Sequence, residues 1–203
     1  GLLQKSLQSK GLQFLMNHQA EAILGEGRVN AVRFTNGHEI PADLVVFAVG
    51  IKPNIELAEK SGIYTEQGIV VNDTMQTYDP RIYALGECAQ HRKQTYGLVA
   101  PLFEQAKVCA NQLAQLGYAT YHGSVISTKL KVTGIDLFSA GKYQGGESYD
   151  EMVYLDAAAG VYKKLVIKEN KLEGAVLFGD TLDSSWYFQL MRDGTDIGDV
   201  RQH

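Results

Sequence analysis

The sequence predicts an α/β fold, part of a doubly wound parallel sheet, followed by a second domain of α+β type. Three observations predict it. The apolar run Leu44-Val45-Val46-Phe47-Ala48-Val49 does not alternate, as expected of a strand covered on both faces, and it ends at Gly50. Ile82-Tyr83-Ala84-Leu85 runs into Gly86-Glu87, and the best amphipathic helix of the chain follows. Past 117–124, where Gly, Tyr, Thr and His replace the helical pattern, short strand-like runs with turn residues between them take over. With 203 residues, 45% of them hydrophobic, the chain can bury one ample core or two modest ones.

The elements follow in order. Leu2, Leu3, Leu7 and Leu12 give a short helical stripe that Gly11 stops, and a strand is expected from Leu12 to Met16. Val29, Ala31 and Arg33-Phe34 alternate into Thr35-Asn36-Gly37, so Arg28 to Ile40 should be a hairpin turning at Asn-Gly. Leu44 to Val49 is the expected central parallel strand, ending at Gly50 where backbone can approach a ligand. Ile55 to Ser61 predicts a helix with Asn54 as N-cap and Gly62 as its stop. Gly68 to Asn72 and Ile82 to Leu85 read as strands, and His91-Arg92-Lys93-Gln94 as a loop.

The long helix should run from Val99 to Leu116, with Pro101 tolerated in its first turn and Gly117 at its end. Ala106, Cys109, Ala110 and Leu113 are its expected inward face. Beyond the boundary, Thr128–Thr133, Asp136–Gly141, Met152–Ala157, Val161–Lys168 and Leu172–Phe178 are strands, with Glu169-Asn170-Lys171 the clearest turn. Asp183 or Ser184 caps a last helix through Arg192, stopped by Gly194.

Composition excludes several classes of function. A net charge of -4 with Lys and Arg scattered leaves no basic stripe, so no nucleic-acid partner is expected. The longest apolar stretch falls far short of a bilayer span of roughly 20 residues, and Gly1-Leu2-Leu3-Gln4-Lys5 lacks a signal-peptide pattern. A cytoplasmic protein with no membrane partner is the reading. Cys88 and Cys109 are too few for a cluster or thiolate metal site, and the five histidines show no ligand spacing, so no metal residue is assigned.

Ligands of open parallel sheets sit beyond the carboxyl ends of the strands. Ala84 and Gly86 are small enough for close approach there, and the Glu87 carboxylate can accept hydrogen bonds from sugar-like hydroxyls. Cys109 reads as a small buried hydrophobe. Cys88, beside Glu87, has no resolving partner in sequence and reads as packing. Lys163 and Lys164, on opposite faces of a strand, read as a solvated pair, with a docking patch as the functional alternative. Trp186, Tyr187 and Phe188 read as core, with a cofactor shield or subunit contact as the alternative.

Four segments carry a resemblance: Asp43 to Asn54 with Gly50, Pro53 and Asn54; Tyr83 to Ala89 with Gly86-Glu87-Cys88-Ala89; Gly97-Leu98-Val99-Ala100-Pro101; and Ser127-Thr128-Lys129-Leu130-Lys131. Together they resemble the large subunit of NAD(P)H-dependent nitrite reductase, within the glutathione-reductase-like FAD/NAD oxidoreductase superfamily. The likeness covers nearly the whole chain. Related rubredoxin and ferredoxin reductases carry Trp-Ser-Asp-Gln where Ser127 to Leu130 stand, which favours nitrite reductase. The superfamily usually has Asp where Glu87 stands.

The resemblance implies a partial doubly wound FAD/NAD-binding fold followed by an α+β C-terminal interface domain. Its divisions would be 1–71, the end of an NAD-binding domain; 72–120, a returning FAD-binding segment; and 121–203, the interface domain. The parent would take hydride from NAD(P)H onto FAD and pass electrons through iron-sulfur and sirohaem centres outside this chain, reducing nitrite to ammonia. Gly50, Pro53, Gly86, Glu87, Leu98, Val99, Ala100 and Pro101 are the implied cofactor-binding residues. The helix starting at Val99 would aim its N-terminus at the flavin ring, where its dipole favours the reduced anionic form.

No Gly-x-Gly-x-x-Gly occurs between Gly1 and His203, so the pyrophosphate turns would lie in the remainder of the parent chain. The isolated chain is expected to hold no cofactor tightly, to be inactive, and to self-associate as a homo-oligomer through unpaired sheet edges or through the C-terminal strands. No residue is assigned a catalytic role. The alternatives are a dimerisation or docking module from Ser124 onward, or part of a nitrate-reductase electron-transfer or ferredoxin/rubredoxin reductase flavoprotein.

Overall fold

The computed structural model describes residues 1–132 and 134–199. Contacts divide the chain into two compact units, the first ending at Ile51 and the second starting at Lys52.

The first unit begins with α1 (Leu2–Gln8). Gly11, at φ +90, closes it as expected, and the Leu12 amide returns to the Leu7 carbonyl at 3.2 Å. Strands β1 (Ala20–Leu24), β2 (Ala31–Phe34) and β3 (Glu39–Pro41) form an antiparallel meander. The hairpin expected over Arg28 to Ile40 is β2–β3, with Val32 opposite Ile40 and Gly37 at φ +80 in the turn. Val32 and Phe34 are buried, and the His18 ring meets Phe34 edge-on at 5.2 Å.

Two strands expected in this unit do not form. Leu12 to Met16 ends in a turn at Asn17, φ +60, and the strand that pairs with β2 is β1 instead. Leu44 to Val49 joins no ladder, and Val49 is 87% exposed. A parallel strand is covered only when strands flank it and helices pack over both its faces, and no such neighbours occur among the described residues.

The second unit opens with α2 (Glu56–Lys60), whose N-cap is Ile55. Asn54, the expected cap, instead accepts the Glu56 amide on Oδ1 at 3.4 Å. Strands β4 (Ile69–Val71), β5 (Ala89–His91) and β6 (Gln94–Thr95) make a small sheet, β4 and β5 parallel, β5 and β6 antiparallel. Arg92 and Lys93, at φ +47 and +66, form the two-residue turn where a loop was expected. The strand expected at Ile82 to Leu85 reduces to one bridge between Gln76 and Tyr83. The neighbouring chain meets it only there and through the amides of Thr77 and Ala84, so the parallel ladder waits until the chain has turned at Gly86.

Helix α3 (Val99–Leu113) stops short of Leu116. Gln115 takes the left-handed position at φ +55, ahead of Gly117, and the Leu116 amide bonds back to the Asn111 carbonyl at 3.1 Å. Its inward residues are Pro101, Gln105, Val108 and Cys109. Of the expected inward set only Cys109 is buried; Leu113 is 60% exposed. Val108 and Cys109 close a core with Val71, Met75, Ala84, Ala89, Tyr96 and Tyr121.

The C-terminal strands match the sequence reading closely. Strands β7 (Ser127–Val132), β8 (Ile135–Gly141), β9 (Asp150–Asp156), β10 (Val161–Lys168) and β11 (Lys171–Phe178) form an antiparallel sheet in the order β7-β8-β11-β10-β9. Thr133, the expected end of the first strand, lies outside the described residues. Glu169 and Asn170, at φ +49 and +57, turn β10 into β11. Helix α4 (Ser184–Asp193), N-capped at Asp183 and ended by Gly194 at φ +61, lies on this sheet. Met191 closes a second core with Phe138, Ile167, Leu172 and Leu177, against which Tyr187 and Phe188 pack.

Two surface expectations are corrected here. Trp186 is 53% exposed on the outer side of α4 rather than in the core. Lys163 and Lys164 are largely covered and individually paired, Lys163 with Asp180 at 2.6 Å and Lys164 with Glu151 at 3.0 Å. Two acids on the α4 side and one on β9 draw these ammonium groups down, so they form no open basic patch.

Candidate functional site

The site is built from second-unit residues around Gly86. Gly86 sits at φ +91, a backbone region that L side chains rarely enter, and its missing Cβ would meet nothing within 4 Å. The Gly86 carbonyl accepts the Ala89 amide at 3.1 Å, closing a tight turn from Gly86 to Ala89. Ala84, just before it, is buried in the core. The Glu87 carboxylate is exposed and makes no hydrogen bond or ion pair among the described residues. It is free to accept hydroxyl donors. Cys88 is half-buried with Sγ 3.5 Å from the Leu85 carbonyl, and burial pushes the Cys109 thiol up.

Helix α3 supplies the other half. Leu98 is its N-cap and no side chain caps the helix start, so its first amides have no side-chain acceptor. No acidic residue stands in the first turn. Gly97, Leu98, Val99 and Ala100 are exposed, Val99 to 66%, whereas Pro101 turns inward. An uncapped, exposed helix start beside a small-residue turn and an unpaired carboxylate suits a ligand bearing both hydroxyls and negative charge.

Gln105 joins the two halves, a contact the sequence reading missed. It is 0% exposed, and its Oε1 accepts the Gly86 amide at 2.9 Å. Nε2 of the same group has no hydrogen-bond partner. Burial pushes the pKa of the neighbouring core residue Tyr121 up to about 12. Tyr121 in turn bonds Ser124 at 2.7 Å, and Ser124 bonds Glu104 on α3. The spacing of Pro101, Gln105, Val108 and Cys109 on one helical face is the signal that would have found Gln105.

Below this lies an ionic knot. Asp73 receives the Arg92 guanidinium through Nε at 3.0 Å and Nη2 at 2.7 Å, and His91 through Nε2 at 2.8 Å. The Arg92 contact, then that of His91, lowers the Asp73 carboxyl to about 2. The Asp73 carbonyl also accepts the Tyr121 amide at 2.8 Å.

Of the residues implied by the resemblance, Gly86 and Glu87 lie in the turn that Gln105 of α3 bonds, Leu98, Val99 and Ala100 form the exposed start of that helix, and Pro101 is buried in its first turn. Pro53 is half-buried ahead of α2 in the same unit. Gly50 belongs to the first unit, at φ +86 with open space where a Cβ would stand. Among the described residues no helix is long and apolar enough to cross a membrane.

Comparison with known proteins extends this picture. The chain is 48% identical over 98% of its length to "Nitrite reductase [NAD(P)H]" of Bacillus subtilis. It is 48% identical over 97% to the "Assimilatory nitrate reductase electron transfer subunit" of the same organism. It spans about a quarter of the length of each: 25% in both cases. Among solved structures, the NAD-dependent persulfide reductase from A. fulgidus matches all of this chain and 42% of its own, at 26% identity and a TM-score of 0.79. The α/β part and the C-terminal sheet thus follow the architecture of known reductases. Residues 127–195 match the rubredoxin NAD+ reductase C-terminal domain. Residues 1–112, more than half of the chain and including both the Gly86 turn and nearly all of α3, match the pyridine nucleotide-disulphide oxidoreductase family, and the chain belongs to that family.

Proposed function

We propose that this chain is part of an FAD-dependent NAD(P)H oxidoreductase of the nitrite reductase type. The observation that carries the reading is the Gly86-Glu87 turn held beside the open start of α3 by Gln105, in a chain nearly half identical to a nitrite reductase. When bound, FAD accepts hydride from NAD(P)H and releases electrons singly toward further centres. The residues here bind and orient it. Glu87 would accept hydroxyl donors from the cofactor, Gly86 would leave room for its approach, and the open start of α3 at Leu98, Val99 and Ala100 would favour its negative charge. Gly50 and Pro53 complete the set of cofactor-binding residues that the resemblance implies.

Under this reading 1–71 ends a nicotinamide-nucleotide domain, 72–120 returns to the FAD domain, and 121–203 is an interface domain. The remainder of the parent chain supplies the glycine-rich turns and the iron-sulfur and sirohaem ligands. The protein works in the cytoplasm, as a homo-oligomer.

A second reading has its own support: the same 48% identity to an assimilatory nitrate reductase electron transfer subunit, in which the acceptor would be a partner protein. The full-length protein decides. Purified, it should be yellow, bleach with NAD(P)H, and oxidise NAD(P)H when nitrite is added, with ammonia formed. Oxidation only in the presence of a nitrate reductase would select the second reading, and a colourless protein that takes up no FAD would overturn both.

A further inference from the structure

We infer that Gln105 is a positioning residue, setting the Gly86-Glu87 turn against the start of α3 so that the two halves of the flavin site keep a fixed separation. The inference rests on the flavin reading above and adds a side chain that acts through the Gly86 amide.

Gln105 is a poor core filler. It occupies the inward stripe of α3 between Pro101 and Val108, is 0% exposed, and leaves Nε2 without a partner. An apolar side chain of the same length would fill that space without burying an unpaired amide. What Gln105 provides is the one acceptor for the Gly86 amide, at 2.9 Å. The turn's other bonds, the Ala89 amide to the Gly86 carbonyl at 3.1 Å and the Ile69 amide to the Cys88 carbonyl at 2.7 Å, do not reach α3. The segment before it meets its neighbour only at the Gln76–Tyr83 bridge and through two further amides, and the β4–β5 ladder begins after it at Ala89. The tie is made from the helix whose own N-terminus forms the other half of the site. Turn and helix start therefore move as one.

The test uses the full-length protein and two variants. Gln105→Met keeps the length of the side chain and removes the acceptor; Gln105→Glu keeps an acceptor oxygen. Gln105→Met should bind FAD about tenfold more weakly, the factor one ordinary hydrogen bond carries, and shift the visible flavin bands, while its flavin-free form melts close to wild type. Gln105→Glu should restore both affinity and bands. A Gln105→Met protein with wild-type affinity and spectrum overturns the inference while leaving the flavin reading intact; a wild-type protein that binds no flavin overturns both. Should Gln105→Met fail to fold, amide exchange in the wild type still decides: slow exchange at Gly86 in the flavin-free protein supports the tie, and fast exchange there refutes it.

Discussion

Asp73 shows how much one side chain can hold. It binds His91 at the end of β5 and Arg92 in the β5–β6 turn, and its backbone carbonyl holds the Tyr121 amide. Because its carboxyl is lowered from 3.8 to about 2, the stability it lends is complete above about 3.8 and is lost as pH falls toward 2. Asp73→Asn should therefore be less stable than wild type at neutral pH, and urea titrations across this range should find the gap closing toward pH 2. Leu177, 0% exposed in the C-terminal core, makes a simpler case. Leu177→Ala should cost about 2–5 kcal/mol in chemical denaturation, the range for a buried leucine whose cavity relaxes only partly. Residues of this kind divide sharply in how legible they were. Cys109 reads as core because a lone thiol among apolar neighbours has no other use, and it is buried. Gln105 and Asp73 carry no signal in the sequence, because a polar residue declares its partner only when chain 19 residues away from Gln105, or 18 and 19 from Asp73, is folded against it.

Elements with local causes were the most legible. The five C-terminal strands are short runs separated by turn residues, and all five form, as does α4 between Asp183 and Gly194. Elements that depend on distant partners failed: Ile82 to Leu85 has strand composition but only one bridge, and Leu44 to Val49 has none. Two substitutions probe what local geometry contributes. Glu169, at φ +49 in the β10–β11 turn, bears a left-handed conformation that Asn tolerates better. Glu169→Asn should raise stability by about 0.5–1 kcal/mol, measured by thermal or urea unfolding. Gly141, at φ +60, lies where an added Cβ would come 2.1 Å from the Glu173 carbonyl oxygen. Gly141→Ala should push β8 and β11 apart, seen as a lower melting temperature and faster amide exchange in both strands.

At the scale of the molecule, the unpaired apolar run dominates. Leu44, Val46, Phe47 and Val49 are all exposed, and such a run in extended chain recruits other copies. The 203-residue chain should self-associate in light scattering, and Phe47→Lys should lower the mass observed. Without the glycine-rich turns, FAD fluorescence titration of the same chain should show no tight, saturable binding. The stretch between α3 and β7 behaves differently. Tyr118 stands wholly in solvent, whereas Tyr121, three residues on, is only 3% exposed and sits among Tyr96, His91 and the inner face of α3. Backbone continuity at Tyr118 is thus dispensable for holding the two sides together. A protease that nicks the chain after Tyr118 would leave Tyr121 seated like a peg in the upstream core, and the cut molecule would elute from a sizing column as a single particle until denaturant draws the peg out.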